Sequence, residues 1–294
     1  MKIFITGGSG TLGQYLNVEL KKKHKILTQF NSNIGNCGSF DSVQLSIEDY
    51  EKLSEVFSSF RPNIVIHTAS ISTAEKADLL TSDFVFNVNV NASQKIAELC
   101  DRYKAKLIYT SSDLVYAGYR GPMLKEDSKL IPVSLYAETK LMGEVKVQQN
   151  CGNYIILRIA LMFGFGLNHS RNHFHSMYED LKNGKPVKLF TDQFRTPIAL
   201  RESARMISEL IEKNISGEIL NLGGNERLSR YDLGELLCHE AKFDKNLLIP
   251  TTMDKVGVKY KVTDVSMNSD KLNSYDVYPK EVYTSLHEII EMHS

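Results

Sequence analysis

A run of glycines directly after the first apolar segment constrains the fold of this 294-residue chain more than any other feature. The segment 2–6 is predicted to be a strand, and it runs into Gly7, Gly10 and Gly13 at the start of a helical pattern. Gly7 permits the tight turn, Gly10 lets the backbone approach a pyrophosphate, and Gly13 allows close packing of helix on strand. The free N–H groups of the helix N-terminus attract the anion. The segment therefore predicts a dinucleotide site.

Strands and helices alternate through the following 150 residues. Strands are predicted at 24–29, 63–67, 106–109 and 154–159, and helices at 47–59 and 85–103. Continuous apolar strands suit a parallel sheet that is covered on both faces. The pattern loosens after residue 159, although a capping-box-like start at Ser229 predicts a helix to about Ala241.

This alternation predicts an α/β fold: a Rossmann-type doubly wound parallel sheet with a smaller, mainly C-terminal substrate-binding lobe. Residues 1–160, with parts of 186–225, are expected to form the NAD(P)-binding core. Residues 161–294 are expected to form the discontinuous lobe. Open α/β sheets bind ligands beyond the carboxyl ends of their strands, so the substrate is expected in the cleft between core and lobe.

Tyr136 and Lys140 are a candidate catalytic pair. Residues four apart on a helix share a face, so the Lys140 ammonium is expected near the Tyr136 phenol. A phenol normally has a pKa of ~10, and a nearby cation favours phenolate and lowers that pKa. Such a tyrosine can transfer a proton to a carbonyl oxygen, although the same spacing also occurs in ordinary exposed helical pairs. Together with the glycine turn, the pair indicates an oxidoreductase.

Hydroxyl residues follow the strand predicted at 106–109, in the order Thr110, Ser111, Ser112. They lie where open α/β sheets place their ligands, at the carboxyl end of a strand. Isolated hydroxyls at such a place usually cap a turn. Because the Tyr136 and Lys140 pair follows, Ser112 is predicted instead to hydrogen-bond a substrate carbonyl and hold it against Tyr136.

Composition limits the classes of function. Acidic and basic residues number 35 each, so no excess charge favours nucleic acid or an anionic membrane. No apolar run reaches the ~18 residues of a membrane span, and the chain enters its first strand without a signal-peptide pattern. The four cysteines are widely separated and lack C-x-x-C spacing, which is typical of reduced thiols. We therefore expect a cytoplasmic enzyme that binds neither nucleic acid nor membrane.

Longer motifs occur along nearly the whole chain. They are TGGSGTLG at 6–13, HTAS at 67–70, NVNA at 89–92, SDLVY at 112–116, YAETKLMGE at 136–144, DQFRTP at 192–197, NLGG at 221–224 and MNSDKL at 267–272. In these motifs the chain resembles the extended short-chain dehydrogenases/reductases. Within that group it resembles the dTDP-4-dehydrorhamnose reductase-like, sugar-nucleotide-binding family, and the segment 136–144 is the most specific match.

The resemblance implies NAD(P)H-dependent reduction of a nucleotide-linked 4-keto-6-deoxysugar, as in dTDP-rhamnose and polysaccharide biosynthesis. Ser112, Tyr136 and Lys140 form the implied catalytic set, in which Tyr136 protonates the alkoxide, Ser112 polarises the carbonyl and Lys140 also holds the nicotinamide ribose. Asp113 and Arg195 are the implied substrate contacts. Two alternatives stay open: an NADP-binding regulatory subunit resembling the methionine adenosyltransferase beta subunit, and a sugar-nucleotide epimerase, which the loop 118–121 disfavours.

NADPH is the expected cofactor, with NADH as the alternative. The end of the second predicted strand lacks the Asp or Glu that would bind a ribose 2′-hydroxyl and repel a 2′-phosphate. It also lacks an arginine, so Asn31 and Ser32 are the predicted phosphate donors. The aligned adenine segment, 43–46, lacks the acidic residue usual in the family. The predicted cofactor-binding residues are Gly7, Gly10, Thr11, Leu12, Gly13, Asn31, Ser32, Leu45, Thr68, Ala69, Ser70, Asn89, Tyr136 and Lys140.

Two arginines and a histidine cluster allow more than one interpretation. Arg195 can bind a substrate phosphate through a bidentate contact, whereas Arg158, inside an apolar strand, can also pair with a buried carboxylate. Histidines occur at 169, 173 and 175, but no Cys or carboxylate accompanies them at ligand spacing. We expect no metal there, and place these histidines at the substrate cleft or an exposed turn.

The resemblance also implies a homodimer. In extended members of the superfamily, the long helix before the serine strand and the tyrosine-bearing helix often pair with their copies across a twofold axis. Here these helices are predicted at 85–103 and 135–149.

Overall fold

A central sheet of seven parallel strands organises the computed structural model, which describes residues 1–119 and 121–293. Arg120, in the loop 118–121, therefore lies outside the described residues. The strands are β1 (Lys2–Thr6), β2 (Lys25–Phe30), β3 (Ser42–Gln44), β4 (Ile64–His67), β5 (Lys106–Ser112), β6 (Tyr154–Ile159), β7 (Met162–Phe163), β8 (Val187–Phe190), β9 (Phe194–Arg195), β10 (Ile198–Ala199), β11 (Glu218–Leu222), β12 (Leu228–Ser229) and β13 (Leu248–Thr251). The order across the main sheet is β3-β2-β1-β4-β5-β6-β11.

The helices connect these strands and cover the sheet. They are α1 (Thr11–Leu20), α2 (Tyr50–Phe60), α3 (Ala74–Asp78), α4 (Ser82–Phe86), α5 (Ala92–Tyr103), α6 (Leu135–Asn150), α7 (His173–Lys182), α8 (Leu200–Leu210), α9 (Arg230–Ala241), α10 (Met253–Val256), α11 (Asp270–Asn273) and α12 (Val282–Glu291). A π-helical turn, Asn87–Asn91, joins α4 to α5. Within the described residues, no helix has the length and apolar character needed to cross a membrane.

Both faces of the sheet are buried. Successive side chains of a strand point to opposite faces, so one strand contributes to the apolar clusters on both sides. In β1, Ile3 and Ile5 join one apolar cluster with residues of α1 and α8, whereas Phe4 joins a second cluster with residues of α2 and α5. Helices on both faces of a parallel sheet confirm the predicted doubly wound α/β fold.

The strand order reverses between β1 and β4, which pair in parallel from Ile3 opposite Ile64 to Thr6 opposite His67. Chain segments leave this point of the sheet in opposite directions, so a crevice opens beyond the carboxyl ends of the two strands. The glycine turn that begins at Gly7 follows β1, and Thr68 follows β4. The topology therefore places both segments at one crevice.

A third apolar cluster lies apart from the sheet. It contains residues of α7, β8, α9 and α12, among them Phe174, Leu189, Leu237 and Leu286. Strand β11 and helix α8, which come from the region 186–225, belong instead to the main sheet and its covering layer. The boundaries predicted for the core and the substrate-binding lobe stay a prediction.

The helix predicted at 85–103 is divided among the end of α4, the π-helical turn and α5. Two other predicted boundaries differ from the structure because of local pairing and capping. Strand β5 extends to Ser112, since Ser111 and Ser112 pair with Arg158 and Ile159 of β6, so the hydroxyl residues end the strand rather than follow it. The helix predicted from residue 47 begins at Tyr50, where the Asp49 side chain accepts a hydrogen bond from the Lys52 backbone and caps the helix.

Candidate active site

The glycine turn leaves no room for a side chain at Gly7 or Gly13. A Cβ atom at Gly7, whose φ is +67°, would lie 2.6 Å from the Ala69 nitrogen, and one at Gly13 would lie 2.2 Å from the Gly7 oxygen. Helix α1 begins beyond Gly10 with no side-chain cap and no acidic residue in its first turn. Its first N–H groups therefore remain available to an anion, and the turn fits a pyrophosphate.

One large cavity follows the crevice from the glycine turn to the catalytic helix. Its volume is about 630 Å³. Of the predicted cofactor-binding residues, eleven line it: Gly7, Gly10, Thr11, Leu12, Gly13, Asn31, Thr68, Ala69, Ser70, Tyr136 and Lys140. Ser112 and the two predicted substrate contacts, Asp113 and Arg195, line the same cavity. The structure thus brings most of the predicted site to one place.

Three predicted cofactor residues lie outside that lining. Ser32 is exposed beyond the end of β2. The Leu45 side chain packs in the apolar core, and Ser46 and Ile47 line the cavity in its place. Asn89 is 1% exposed and makes hydrogen bonds with the Ile71 backbone and with Thr139 Oγ1, at 2.8 to 3.2 Å. Asn89 therefore joins the segment after β4 to α6 and supports the order of the site.

Gln29, which the sequence analysis did not single out, holds the glycine turn against the second strand. Its Oε1 accepts a hydrogen bond from the Gly7 backbone at 2.8 Å, and its Nε2 donates to the Leu45 carbonyl at 2.7 Å. Both ends of this buried amide are engaged within the protein. A single glutamine near the end of a strand belongs to no motif, so the sequence carries no signal for this role.

Tyr136 and Lys140 are presented by α6, which begins at Leu135 because the Ser134 side chain accepts a hydrogen bond from the Ala137 backbone. Both side chains are almost fully buried, at 8% and 3% exposure. Opposite them, Ser112 Oγ donates to Asp113 Oδ1 at 3.2 Å and accepts from the Leu114 backbone at 3.2 Å. The serine hydroxyl is thereby fixed at the end of β5.

The expectation that Lys140 lowers the pKa of Tyr136 is wrong for this structure. Burial raises the pKa of Tyr136 to about 12, hydrogen bonding to Ser112 acts against the increase, and the charge of Asp113 adds to it. The Lys140 ammonium lies over the ring of Tyr109, with Nζ 4.3 Å from the ring centroid. Burial lowers the pKa of Lys140 to about 7, and the Glu144 carboxylate opposes that decrease. Desolvation is thus the largest cause of both pKa shifts.

Asp113 and Arg195 form a buried ion pair, with Asp113 Oδ2 3.3 Å from Arg195 Nε. Burial raises the pKa of Asp113, and Arg195 acts in the opposite direction. Within the described part of the chain, Oδ2 makes no hydrogen bond. Arg195 also donates to the Phe194 carbonyl at 2.7 Å. The pair therefore places one unbonded carboxylate oxygen and one guanidinium side by side in the cavity wall.

Arg230, also missed in the sequence analysis, lies beside this pair at the start of α9. Its Nε donates to Gln193 Oε1 at 2.9 Å. Burial and the charge of Arg195 lower its pKa to about 10. Arg195 and Arg230 both line a second cavity of about 430 Å³, whose wall also contains Lys188 and Lys259. The two cavities meet at the arginines. The wall of the second also contains Glu75 and Asp78, and Asp78 pairs with Lys259 at 2.8 Å.

Arg158 is not at the cavity surface. It forms an ion pair with Glu144, with Nη2 2.8 Å from Oε2, and each side chain is 2% exposed. Burial alone would lower the pKa of Arg158, but the hydrogen bonds and charge of Glu144 raise it above its usual value. The pair confirms the interpretation of Arg158 as the partner of a buried carboxylate.

The three histidines lie in different surroundings. His173 borders the second cavity, and burial together with the charge of Arg230 lowers its pKa to about 4. The His175 ring packs edge-on against Phe165 at 5.4 Å. The His169 ring approaches the turn at Gly35. Among residues 1–119 and 121–293, no group of three or more potential ligands is arranged to hold a metal ion.

The doubly wound sheet, its glycine turn and the Ser112, Tyr136 and Lys140 set define an extended short-chain dehydrogenase/reductase. The family model described as RmlD substrate binding domain matches residues 1–292, so the chain belongs to that family. This confirms the resemblance found in the motifs.

Known proteins similar to this chain include dTDP-4-dehydrorhamnose reductases and beta subunits of methionine adenosyltransferase 2. The dTDP-4-dehydrorhamnose reductase of Aggregatibacter actinomycetemcomitans is 27% identical over 253 residues, covering 84% of this chain and 81% of the relative. Methionine adenosyltransferase 2 subunit beta of Xenopus laevis is 26% identical over 287 residues, covering 94% of this chain and 83% of the relative. The crystal structure of dTDP-4-dehydrorhamnose reductase from Bacillus anthracis in complex with NADP has a TM-score of 0.84 at 21% identity, with 99% of each chain covered.

Proposed function

We propose that this protein is an NAD(P)H-dependent reductase of a nucleotide-linked 4-keto-6-deoxysugar. One observation carries the proposal: Ser112, Tyr136 and Lys140 line the same cavity as the glycine turn after β1. Reduction of a ketone requires a proton donor and a hydride donor at one carbonyl group, and a shared cavity provides that proximity. The relative named dTDP-4-dehydrorhamnose reductase supports the substrate class.

The residues of the cavity fit a nicotinamide dinucleotide. The glycine turn and the N-terminus of α1 would hold the pyrophosphate, and Thr68 to Ser70 would border the cofactor from the end of β4. Asn31 would donate to a 2′-phosphate, and the similar structure that contains NADP supports NADPH. When bound, the reduced nicotinamide supplies the hydride.

Tyr136 supplies the proton in this proposal. With its pKa raised to about 12, the phenol keeps its proton at neutral pH and can donate it to the alkoxide that forms on the sugar. The single O–H of Ser112 turns from Asp113 Oδ1 to the substrate, donates a hydrogen bond to the carbonyl oxygen and polarises it. Lys140, when protonated, provides positive charge beside the developing anion.

The substrate phosphates are placed in the second cavity. Arg195 and Arg230 mark its junction with the first cavity, and Lys188 adds positive charge further out. Guanidinium groups bind phosphate through paired N–H donors. The Asp113 carboxylate lies 3.3 Å from Arg195 Nε and holds this guanidinium at the junction.

Mass spectrometry of ligands retained on the purified protein tests this function, followed by NADPH oxidation with nucleotide-linked 4-keto-6-deoxysugars. The proposal expects a retained nicotinamide dinucleotide and turnover with at least one keto sugar. An absence of turnover across the dTDP-, UDP- and GDP-linked keto sugars would contradict it.

A non-catalytic regulatory subunit is the second candidate, and one observation favours it. The methionine adenosyltransferase 2 subunit beta relative matches 94% of this chain, at nearly the same identity as the reductase. On this alternative, the protein binds NADP and a partner protein but oxidises no NADPH with any keto sugar nucleotide. The turnover assay, run beside pull-down of a methionine adenosyltransferase, separates the two functions.

A further inference from the structure

The ammonium of Lys140 is buried, and the nearest carboxylate along its own helix is bound to other side chains. Glu144 is one turn further along α6, but its oxygens are engaged by Arg158 at 2.8 Å and by the Ser111 hydroxyl at 2.5 Å. Burying a charged group is costly unless another group compensates for the lost water. The charge of Glu144 still favours the ammonium, and a further contact would offset more of the cost of burial.

Tyr109 contacts Lys140 at two points. Its ring face lies 4.3 Å from Nζ, and its hydroxyl donates to the backbone carbonyl of Lys140 at 3.3 Å. Tyr109 is fully buried in β5, three residues before Ser112. Gly143 leaves room for the hydroxyl, because a Cβ atom there would lie 2.1 Å from it. One tyrosine thus holds both the head group and the backbone of the same lysine.

The other titratable groups around Lys140 do not replace this contact. His67, at the end of β4, has a pKa lowered to about 3 by burial and by the charge of Lys140, so it stays neutral. Its ring packs at 5.7 Å from that of Tyr109, and its nitrogens bond Thr6 and Ser93. Tyr136 is neutral at physiological pH, as described above. The negative ring face of Tyr109, 4.3 Å from Nζ, is a close contact that favours the cation.

We propose that Tyr109 is the positioning residue of Lys140, whose ammonium it holds on its ring face and whose helix turn it fixes through its hydroxyl. The inference rests on the proposed function in treating Lys140 as catalytic. The position and protonation of Lys140 can nevertheless be measured in the resting protein, where no turnover is needed.

The test is an NMR titration of the protein labelled with ¹³C at the lysine ε carbons, without added cofactor. The Lys140 resonance is assigned by its absence in Lys140→Gln. At position 109, Tyr109→Phe is compared with phenylalanines that carry increasing numbers of fluorine atoms, which weaken the ring quadrupole while preserving shape. Tyr109→Leu removes the ring, and Tyr103→Leu, in a ring contact with Phe57 away from Lys140, is the control.

The titration of Lys140 should be nearly unchanged in Tyr109→Phe, since the ring remains. It should move to lower pH with each fluorine and by roughly one pH unit in Tyr109→Leu, as expected for a desolvated cation over an aromatic face. Tyr103→Leu should leave it unchanged. A Lys140 titration insensitive to fluorination overturns the proposal, even if Tyr109→Leu fails to fold. If the Lys140 titration shifts with fluorination as expected but the parent protein oxidises no NADPH with any keto sugar nucleotide, only the proposed function is contradicted.

Discussion

At the residue scale, burial governs the two titrating side chains of the site. The pKa of Tyr136 is raised to about 12 and that of Lys140 is lowered to about 7, so at neutral pH the tyrosine keeps its proton and the lysine is about half protonated. The spacing of the two residues predicts proximity but contains no information on solvent exclusion. That exclusion comes from β5, α6 and the segment after β4, which meet only in the folded chain.

The buried lysine makes stability depend on pH. Between about pH 7 and the ~10.4 of an unfolded lysine, the unfolded chain keeps a proton that the folded protein releases, so stability rises with pH in this window. From pH 7 to pH 9, the free energy of unfolding of the parent should rise by roughly 2 kcal/mol relative to that of Lys140→Met, as measured by urea unfolding. Lys146→Met, on the same helix, controls for loss of a lysine. A pH-independent difference between parent and Lys140→Met would contradict this prediction.

Cofactor choice is also decided by single residues. Asn31 lines the cavity and Ser32 does not, so Asn31 is the better placed of the two predicted phosphate donors. The parent should prefer NADPH by about tenfold in kcat/KM. Asn31→Ala should reduce that preference about fivefold, the effect of one hydrogen bond worth about 1 kcal/mol, whereas Ser32→Ala should change it less. A parent that prefers NADH would show that the ribose pocket has been misplaced.

At the element scale, the catalytic helix is fixed by a buried polar network. Glu144 of α6 binds Arg158 of β6 and Ser111 of β5, while Arg158 donates to Tyr116 Oη at 2.9 Å and to the Glu126 carbonyl at 2.8 Å. Tyr136, Lys140 and Glu144 lie at four-residue spacing on one face of α6. The Glu144 contacts therefore set the position of the face that carries the catalytic pair.

Breaking this ion pair should be costly, because the remaining charge stays buried. Glu144→Gln should lower the free energy of unfolding by about 3–5 kcal/mol. Glu138→Gln makes the same chemical change on the exposed side of α6, and should cost under about 1 kcal/mol. Chemical denaturation at neutral pH measures both. Equal, small losses in the two variants would indicate that the buried pair does not anchor the helix.

The elements that the sequence predicts best are those set by local signals. The strand 154–159 has the predicted bounds, and α9 begins after the predicted Ser229 cap and ends at Ala241. The site is harder to predict from the sequence. Three of its residues belong to no motif that indicates their role, and only their neighbours in the folded chain make them functional candidates: Gln29, Arg230 and Tyr109. The extension of β5 to Ser112 likewise depends on pairing with β6, which is distant in the chain.

At the scale of the whole molecule, the predicted homodimer gives a test of assembly. Val145 is 43% exposed on α6, one of the two helices predicted to pair across the twofold axis. Light scattering should show a species of twice the 33.3 kDa chain mass at micromolar concentration. Val145→Asp should shift it toward monomer, whereas Val18→Asp, on the exposed side of α1, should not. A parent that is only monomeric would contradict the prediction.

The proposed reaction needs the first and second cavities to bind one molecule of substrate. The proton that the reaction adds to the substrate is assigned to Tyr136. NADPH oxidation with a nucleotide-linked 4-keto-6-deoxysugar, measured for the parent and Tyr136→Phe beside NADPH binding by fluorescence, tests this most directly. The rate should fall at least about a hundredfold in the variant, because its proton donor is lost. Its NADPH affinity should stay within a factor of about three, the effect of at most one hydrogen bond. A variant that turns over at nearly the parent rate would contradict the assignment of Tyr136.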